Sequence, residues 1–195
     1  NMPLSFKNGT VGQLVPGVEY KIRPIEGIEE GGALWVKGPN VMLGYLMPNQ
    51  PGVLQAPEDG WYDTGDVVSV DQQGFITIKG RAKRFAKIGG EMISLTAVES
   101  YINQYSPEGH HVVVSVADER KGEQLILVTN DDGLSRQTVK EAAKRVQVSE
   151  LMVPKTVILV EEIPVLGTGK TNYPAVQSIA DGHFKSQSRC RPVEQ

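Results

Sequence analysis

The chain predicts an α+β protein built in two parts: an antiparallel β subdomain followed by a smaller domain that mixes strands with helices. Three observations carry this. Up to about residue 80 the apolar residues alternate, or gather in short runs bounded by Gly, Pro, Asn and Asp, which is strand and turn chemistry, and no helical spacing appears. After Gly80 the pattern changes to (ββ)αββαβα, in which helical and strand periods alternate. Between the two lies Arg81-Ala82-Lys83-Arg84-Phe85-Ala86-Lys87, with four cations in seven residues.

In order, residues 18–25 and 33–37 read as strands joined by a Gly- and Glu-rich turn. Residues 67–70 and 75–79 form a second hairpin, with Asp71-Gln72-Gln73-Gly74 supplying the turn. A Pro-, Gly- and Asn-rich loop, 39–60, separates them. Beyond the basic segment, Ile88-Gly89-Gly90-Glu91 predicts a tight hairpin. Ser94 or Thr96 caps a helix to about Tyr105, with Leu95, Val98, Tyr101 and Ile102 on one face. Strands 111–117 and 124–129 follow, then a helix from N-cap Ser135 to Val146, a strand at 156–160, and a short helix opening at Pro174. The boundaries are 1–80, 81–182 and a tail, 183–195, expected to fray.

The totals exclude several functions. A net charge of −3 argues against nucleic acid as a partner. No stretch approaches the ~18 apolar residues of a membrane span, and the opening residues have neither the basic nor the apolar region of a signal peptide. The single cysteine, Cys190, cannot form an internal disulfide or a cysteine metal cluster, which fits a reducing compartment. His110 and His111 alternate in an apolar run and read as strand residues, so no metal site is expected.

Three features bear chemistry. Pro164-Val165-Leu166-Gly167-Thr168-Gly169-Lys170-Thr171 places a lysine on a Gly-Thr-Gly tip after a strand, a position suited to an anion; a plain turn is the alternative. It is not a nucleotide P-loop, because the position of that motif's first glycine holds Pro164, which lacks an N–H. In Gly60-Trp61-Tyr62-Asp63-Thr64-Gly65-Asp66 an acceptor-only carboxylate at a hairpin edge suits a vicinal diol such as ribose, the alternative being a local Asx turn. Gly80-Arg81 sets a cation at the junction of the two parts.

With these features in this order, the chain resembles the acyl-adenylate-forming superfamily: acyl-CoA synthetases, beetle luciferases and the adenylation domains of peptide synthetases. The matching blocks are residues 36–45, 60–66, 74–90 and 164–170. Within it, Gly-Arg-Ala-Lys-Arg-Phe-Ala-Lys-Ile-Gly-Gly-Glu-Met and Gly-Thr-Gly-Lys-Thr-Asn-Tyr are most similar to the synthetase half of bacterial bifunctional acyl-[acyl-carrier-protein] synthetase/2-acylglycerophosphoethanolamine acyltransferases.

The resemblance implies that Asp66 binds the ribose hydroxyls of ATP and of the acyl-adenylate, with Arg81 beside the ribose and phosphates. Lys83 falls at the hinge about which the small domain turns between two poses. Lys170 reaches the fatty-acid carboxylate and α-phosphate in the first pose. In the second, Arg84, Lys87, Gly89 and Gly90 face the pantetheine tunnel and the carrier. The implied cofactor is ATP with Mg2+, the metal held by no residue of this stretch. The implied partners are a fatty acid, the phosphopantetheine arm of acyl carrier protein, and the large N-terminal adenylating domain of a parent chain. The implied place is the cytoplasmic side, with the parent associated with a bacterial inner membrane and feeding lysophospholipid reacylation.

Three positions depart from the family pattern. Arg84 replaces a frequent acidic residue, making the Arg81-Lys83-Arg84-Lys87 strip basic enough to steer an acidic carrier. Leu95 replaces a helix-opening proline. Tyr173 replaces an arginine, so no anion contact is carried over there. The family's phosphate loop and acyl pocket have no counterpart among these residues, so the chain is expected to be a C-terminal fragment, inactive alone. The rival readings are an acyl-CoA or aryl-CoA ligase fragment and a non-catalytic module that docks a carrier protein.

Overall fold

The computed structural model describes residues 5–189 and divides into two compact units, 1–85 and 86–195. The first is β-rich. Strands β1 (Glu19–Arg23), β2 (Gly32–Lys37), β5 (Tyr62–Val70) and β6 (Ile76–Arg81) form a sheet in the order β1-β2-β5-β6, antiparallel throughout. Its short core is Leu34, Val68 and Ile76, with Ile22, Val36 and Val70 packed against it. A two-stranded ribbon, β3 (Tyr45–Leu46) and β4 (Leu54–Gln55), occupies the loop that the sequence left without structure. Helical backbone in this unit, among the described residues, is confined to single 3-10 turns at Glu58–Gly60 and Ala82–Arg84.

The second unit follows the predicted order. Strands β7 (Phe85–Ile88) and β8 (Glu91–Ser94) precede helix α1 (Leu95–Tyr105). Strands β9 (His111–Asp118) and β10 (Gly122–Thr129) precede α2 (Arg136–Arg145), and β11 (Thr156–Leu159) precedes α3 (Tyr173–Arg189). Helix α3 is longer than the short helix the sequence predicts and runs into the segment expected to fray; residues 190–195, Cys190 among them, lie outside the described residues. The helix starts agree with their caps. Ser94 accepts the Ala97 N–H at 3.3 Å, and Ser135 and Thr138 form a reciprocal box at the start of α2.

Strand β10 is central, antiparallel to β9 along its whole length and parallel to β11. Alternate residues of β9 and β10 serve two different cores, as the period of a strand requires. Val113, Leu125 and Leu127 meet α1 and α2 through Val98, Ile102, Val139 and Ala143. Val112, Val114, Ile126 and Val128 meet Val176 and Ala180 of α3 on the other face. The unit is therefore a sheet covered by helices on both sides. No described helix is long and apolar enough to cross a membrane.

Candidate functional site

The first unit brings Asp66 and Arg81 together. They pair across β5 and β6 in register, and Arg81 Nε donates to Asp66 Oδ1 at 3.0 Å. The local fold explains the placement. The Asp63 carboxylate accepts the Gly65 N–H at 2.9 Å, an Asx turn made possible by the left-handed Gly65 (φ 70°). The Thr64 hydroxyl donates to the Leu34 carbonyl at 2.8 Å and accepts the Asp66 N–H. The Asx turn thus belongs to Asp63, and Asp66 is left with its carboxylate turned to an ion pair. Arg81 is fixed a second time by donating from Nη1 to the Thr64 carbonyl at 3.2 Å. The structural role of Thr64 was missed by the sequence reading, and nothing in the residue pattern separates it from an ordinary turn threonine.

Asp66 also borders a hollow of about 360 Å³ walled by apolar residues of the same unit, including Val18, Val36 and Ile78. An acceptor-only carboxylate at an apolar wall can take hydroxyl donors from a ligand whose flat face lies against that wall. Arg81 is two-thirds exposed and keeps donors for an anion. Lys83 and Arg84 follow at once in the 3-10 turn, whose flanking residues, Arg81 and Phe85, are extended.

The second unit holds the other predicted residues. Gly89 and Gly90 connect β7 to β8 with φ of 61° and 93°, the two-residue turn with both residues left-handed that suits a twisted hairpin. A Cβ at either would meet nothing within 4 Å, so the requirement is for backbone conformation alone. Two contacts hold this hairpin: Gly89 N–H donates to the Lys121 carbonyl at 2.8 Å, and Lys87 N–H donates to Glu123 Oε2 at 2.6 Å.

Lys170 lies on an exposed loop closed by backbone bonds. Leu166 N–H donates to the Lys170 carbonyl at 2.7 Å, Gly169 N–H to that of Leu166 at 2.8 Å, and Asn172 N–H to that of Pro164 at 2.8 Å. Gly169 takes the left-handed corner (φ 79°). Beyond it the Asn172 side chain accepts the Ala175 N–H and caps α3, so the loop is tied to a strand at one end and a helix at the other. Among the described residues the Lys170 side chain has no ion pair or hydrogen bond.

Two residues that the sequence left as plain strand members help to hold this loop. His110 Nε2 lies 3.2 Å from the Thr171 hydroxyl. Behind it His111 is buried, its Nε2 bonded to the Ser106 carbonyl at 2.7 Å and its Nδ1 to Thr129 Oγ1 at 2.8 Å. A carbonyl only accepts, so Nε2 carries the proton and Nδ1 accepts from threonine. Ser106 in turn donates its hydroxyl to Asp131. That bond first, and then the Gly133 N–H, hold the Asp131 carboxyl below the ordinary carboxylate range. Among the described residues no group of three or more His, Cys, Asp or Glu side chains gathers to hold a metal ion such as Mg2+.

No family model matches the chain. Curated relatives do. The mitochondrial medium-chain acyl-CoA ligase ACSF2 of Rattus norvegicus is 29% identical over 203 residues, which is 95% of this chain and 33% of that protein. A medium-chain fatty-acid–CoA ligase of Escherichia coli (strain K12) is 32% identical over 181 residues, 86% of this chain and 31% of the relative. Among solved structures, ATP-bound MatB from Rhodopseudomonas palustris superposes with a TM-score of 0.68 at 28% identity, over 88% of this chain and 35% of that one. The chain thus spans about a third of the length of the curated relatives it matches.

These likenesses define a class first: the fold is that of the C-terminal portion of adenylate-forming ligases. Within that class, the relatives are acyl-CoA ligases that join an acid to a thiol, and they support a place for this chain in the adenylate-forming superfamily.

Proposed function

We propose that this chain is the C-terminal part of an ATP-dependent acid–thiol ligase. In the parent enzyme a fatty-acid carboxylate attacks the α-phosphate of ATP, pyrophosphate leaves, and the resulting acyl-adenylate passes its acyl group to a thiol with release of AMP. The observation that carries the reading is Lys170, a cation on a doubly anchored loop with no ion pair among the described residues. The backbone that carries it is held before substrate arrives, so the loop would deliver the lysine to charge that develops in the transition state.

Asp66 would accept the ribose hydroxyls and Arg81 would meet the phosphates, each holding the other in place at 3.0 Å. Lys83, in the turn after Arg81, would be the pivot about which the second unit changes its pose. Lys170 would neutralise the carboxylate and α-phosphate in the adenylating pose; Arg84, Lys87, Gly89 and Gly90 would face the thiol arm in the other. The wide left-handed turn at Gly89-Gly90 allows a pantetheine chain to run close to backbone.

For the acceptor we infer acyl carrier protein, on the strength of the Arg81-Lys83-Arg84-Lys87 cations and the motif resemblance to acyl-[acyl-carrier-protein] synthetases. Its acyl product would supply lysophospholipid reacylation at the cytoplasmic face of a bacterial inner membrane, with an acyltransferase in the same parent. Coenzyme A is the second reading, favoured by the relatives, which are acyl-CoA ligases.

Lys170→Ala in the parent enzyme should lower acyl-adenylate formation by roughly 10²- to 10³-fold, the usual loss for one preorganised donor, while transfer from preformed acyl-adenylate stays within a few-fold of wild type. Equal loss in both half-reactions would refute the assignment. Transfer to coenzyme A and to carrier protein, compared at matched thiol concentration, decides the acceptor.

A further inference from the structure

Helix α2 carries a row of cations that the reading above does not use. Arg136, Lys140 and Lys144 lie at i, i+4 and i+8, so they share one face and span about 12 Å at the α-helical rise. Val139, Ala142 and Ala143 form the adjoining, buried face. Arg145 adds a fourth cation, its guanidinium 5.1 Å from the Tyr105 ring, and within α2 the acidic residue is Glu141. Beside this row is a hollow of about 260 Å³ with an apolar floor of Ile88, Leu125 and Leu151, rimmed by Lys121, Arg136, Lys140 and Lys155.

The nearby carboxylates are already engaged. Asp118 holds Lys155 at 2.6 Å, Glu150 lies 3.8 Å from Lys140, and Glu141 accepts from the Gln137 amide at 3.0 Å. Lys121, Arg136 and Lys144 have no ion pair among the described residues. The patch is also continuous with the hairpin assigned to the thiol arm: Ile88 forms part of the floor, and Lys121 accepts the Gly89 N–H through its carbonyl. The Lys121 backbone is fixed in turn, since its N–H and that of Arg120 both donate to Asp118 Oδ1.

We propose that this face of α2, with Lys121 at its edge, is the docking surface for an acidic helix of the carrier protein. The inference rests on the ligase reading and goes beyond it, because that reading placed the carrier contact on Arg81-Lys83-Arg84-Lys87. A small phosphate needs donors that converge on one point. Here the cations are exposed and set out in a line at one-turn intervals, the spacing at which carboxylates repeat along one face of a partner helix. Leu151, half-buried at the floor, supplies an apolar contact within the charged rim, the usual anatomy of a transient interface.

The test is titration of the isotope-labelled chain with holo-acyl carrier protein and, separately, with coenzyme A, followed by amide chemical shifts. Carrier protein should move the amides of 136–145 and 120–122. Arg136→Glu/Lys140→Glu/Lys144→Glu, with an unchanged circular dichroism spectrum, should weaken binding by about tenfold or more and flatten its salt dependence; the corresponding Gln variant, which loses charge without reversing it, should fall between. Carrier protein that shifts 87–90 alone, with both variants binding as wild type, overturns the surface and leaves the ligase reading standing. Coenzyme A shifting α2 as strongly as carrier protein overturns it in favour of a nucleotide-phosphate site. Silence of both regions toward carrier protein removes the surface and the carrier reading together.

Discussion

The two units solve the problem of burial differently. In the first, a four-stranded sheet closes on a small core around Leu34, Val68 and Ile76, while Leu43 is 81% exposed, Leu46 69% and Ile78 47%. In the second, alternate residues of β9 and β10 are buried on both faces of one sheet, and Ile126, Leu127, Val128 and Val113 lose essentially all contact with solvent. A strand buried on both sides contributes every residue to stability; a strand buried on one side contributes every second one. The second unit therefore has the means to stay rigid while presenting loops, and the candidate lysine and glycine turns lie on its loops.

The largest expected effect lies in that contrast. Ile126→Ala removes a fully buried side chain from the central strand and should cost about 2–5 kcal/mol. Ile78→Ala, at a half-exposed position of the first unit, should cost less than about 1 kcal/mol. Urea unfolding followed with a probe in each unit would measure both, and similar costs would remove the distinction.

Gly89→Val sharpens the comparison at the level of a turn. Space is open around the position, so the cost is that of a β-branched residue at φ 61°, about 1–2 kcal/mol. It should be recovered by Gly89→Asn, which tolerates that region. Thermal unfolding of the two variants separates backbone strain from packing, because a packing defect would leave Asn no better than Val.

Next in size is Ser135→Ala, which breaks the reciprocal cap of α2 and should cost about 1 kcal/mol. The cation row on α2 should then fray from its first turn, read as faster amide exchange at 136–139 with 142–145 unchanged.

The smallest effect is the one that acid pH removes. Lys155 beside Asp118, followed by the backbone N–H groups of Lys121 and Arg120, holds the Asp118 carboxyl down at about 2. A carboxyl lowered on folding contributes stability above its unfolded value, near 3.9, and loses that contribution as pH falls from there through about 2. Asp118→Asn should lower the melting temperature at pH 6, and the gap to wild type should close by pH 2. A gap that stays constant across that range would mean the side chain acts through shape rather than charge.

Much of this was legible in advance because it is local. The caps Ser94 and Ser135, the Gly89-Gly90 hairpin, the strands at 111–117 and 124–129 and the lysine tip are each set by neighbours a few residues away, where propensity and periodicity act. The β3–β4 ribbon was missed because two-residue strands have no measurable period. Helix α3 reads as short in the sequence because its later turns are polar, and its length reaches beyond the apolar stripe that seats Val176 and Ala180.

By itself, then, the sequence determined the order of elements, the residue types at the lysine loop and the carboxylate turn, and the likeness of their spacing to an adenylating ligase. Tertiary structure alone decided which of these residues meet. It set Arg81 on Asp66 across two strands, tied the lysine loop to the start of β9 through His110 and Thr171, and placed Lys121 and Lys155 beside the cations of α2. Periodicity reports which side of an element is buried. It carries no information about which element lies opposite, because that depends on strand register and on loops that close over tens of residues.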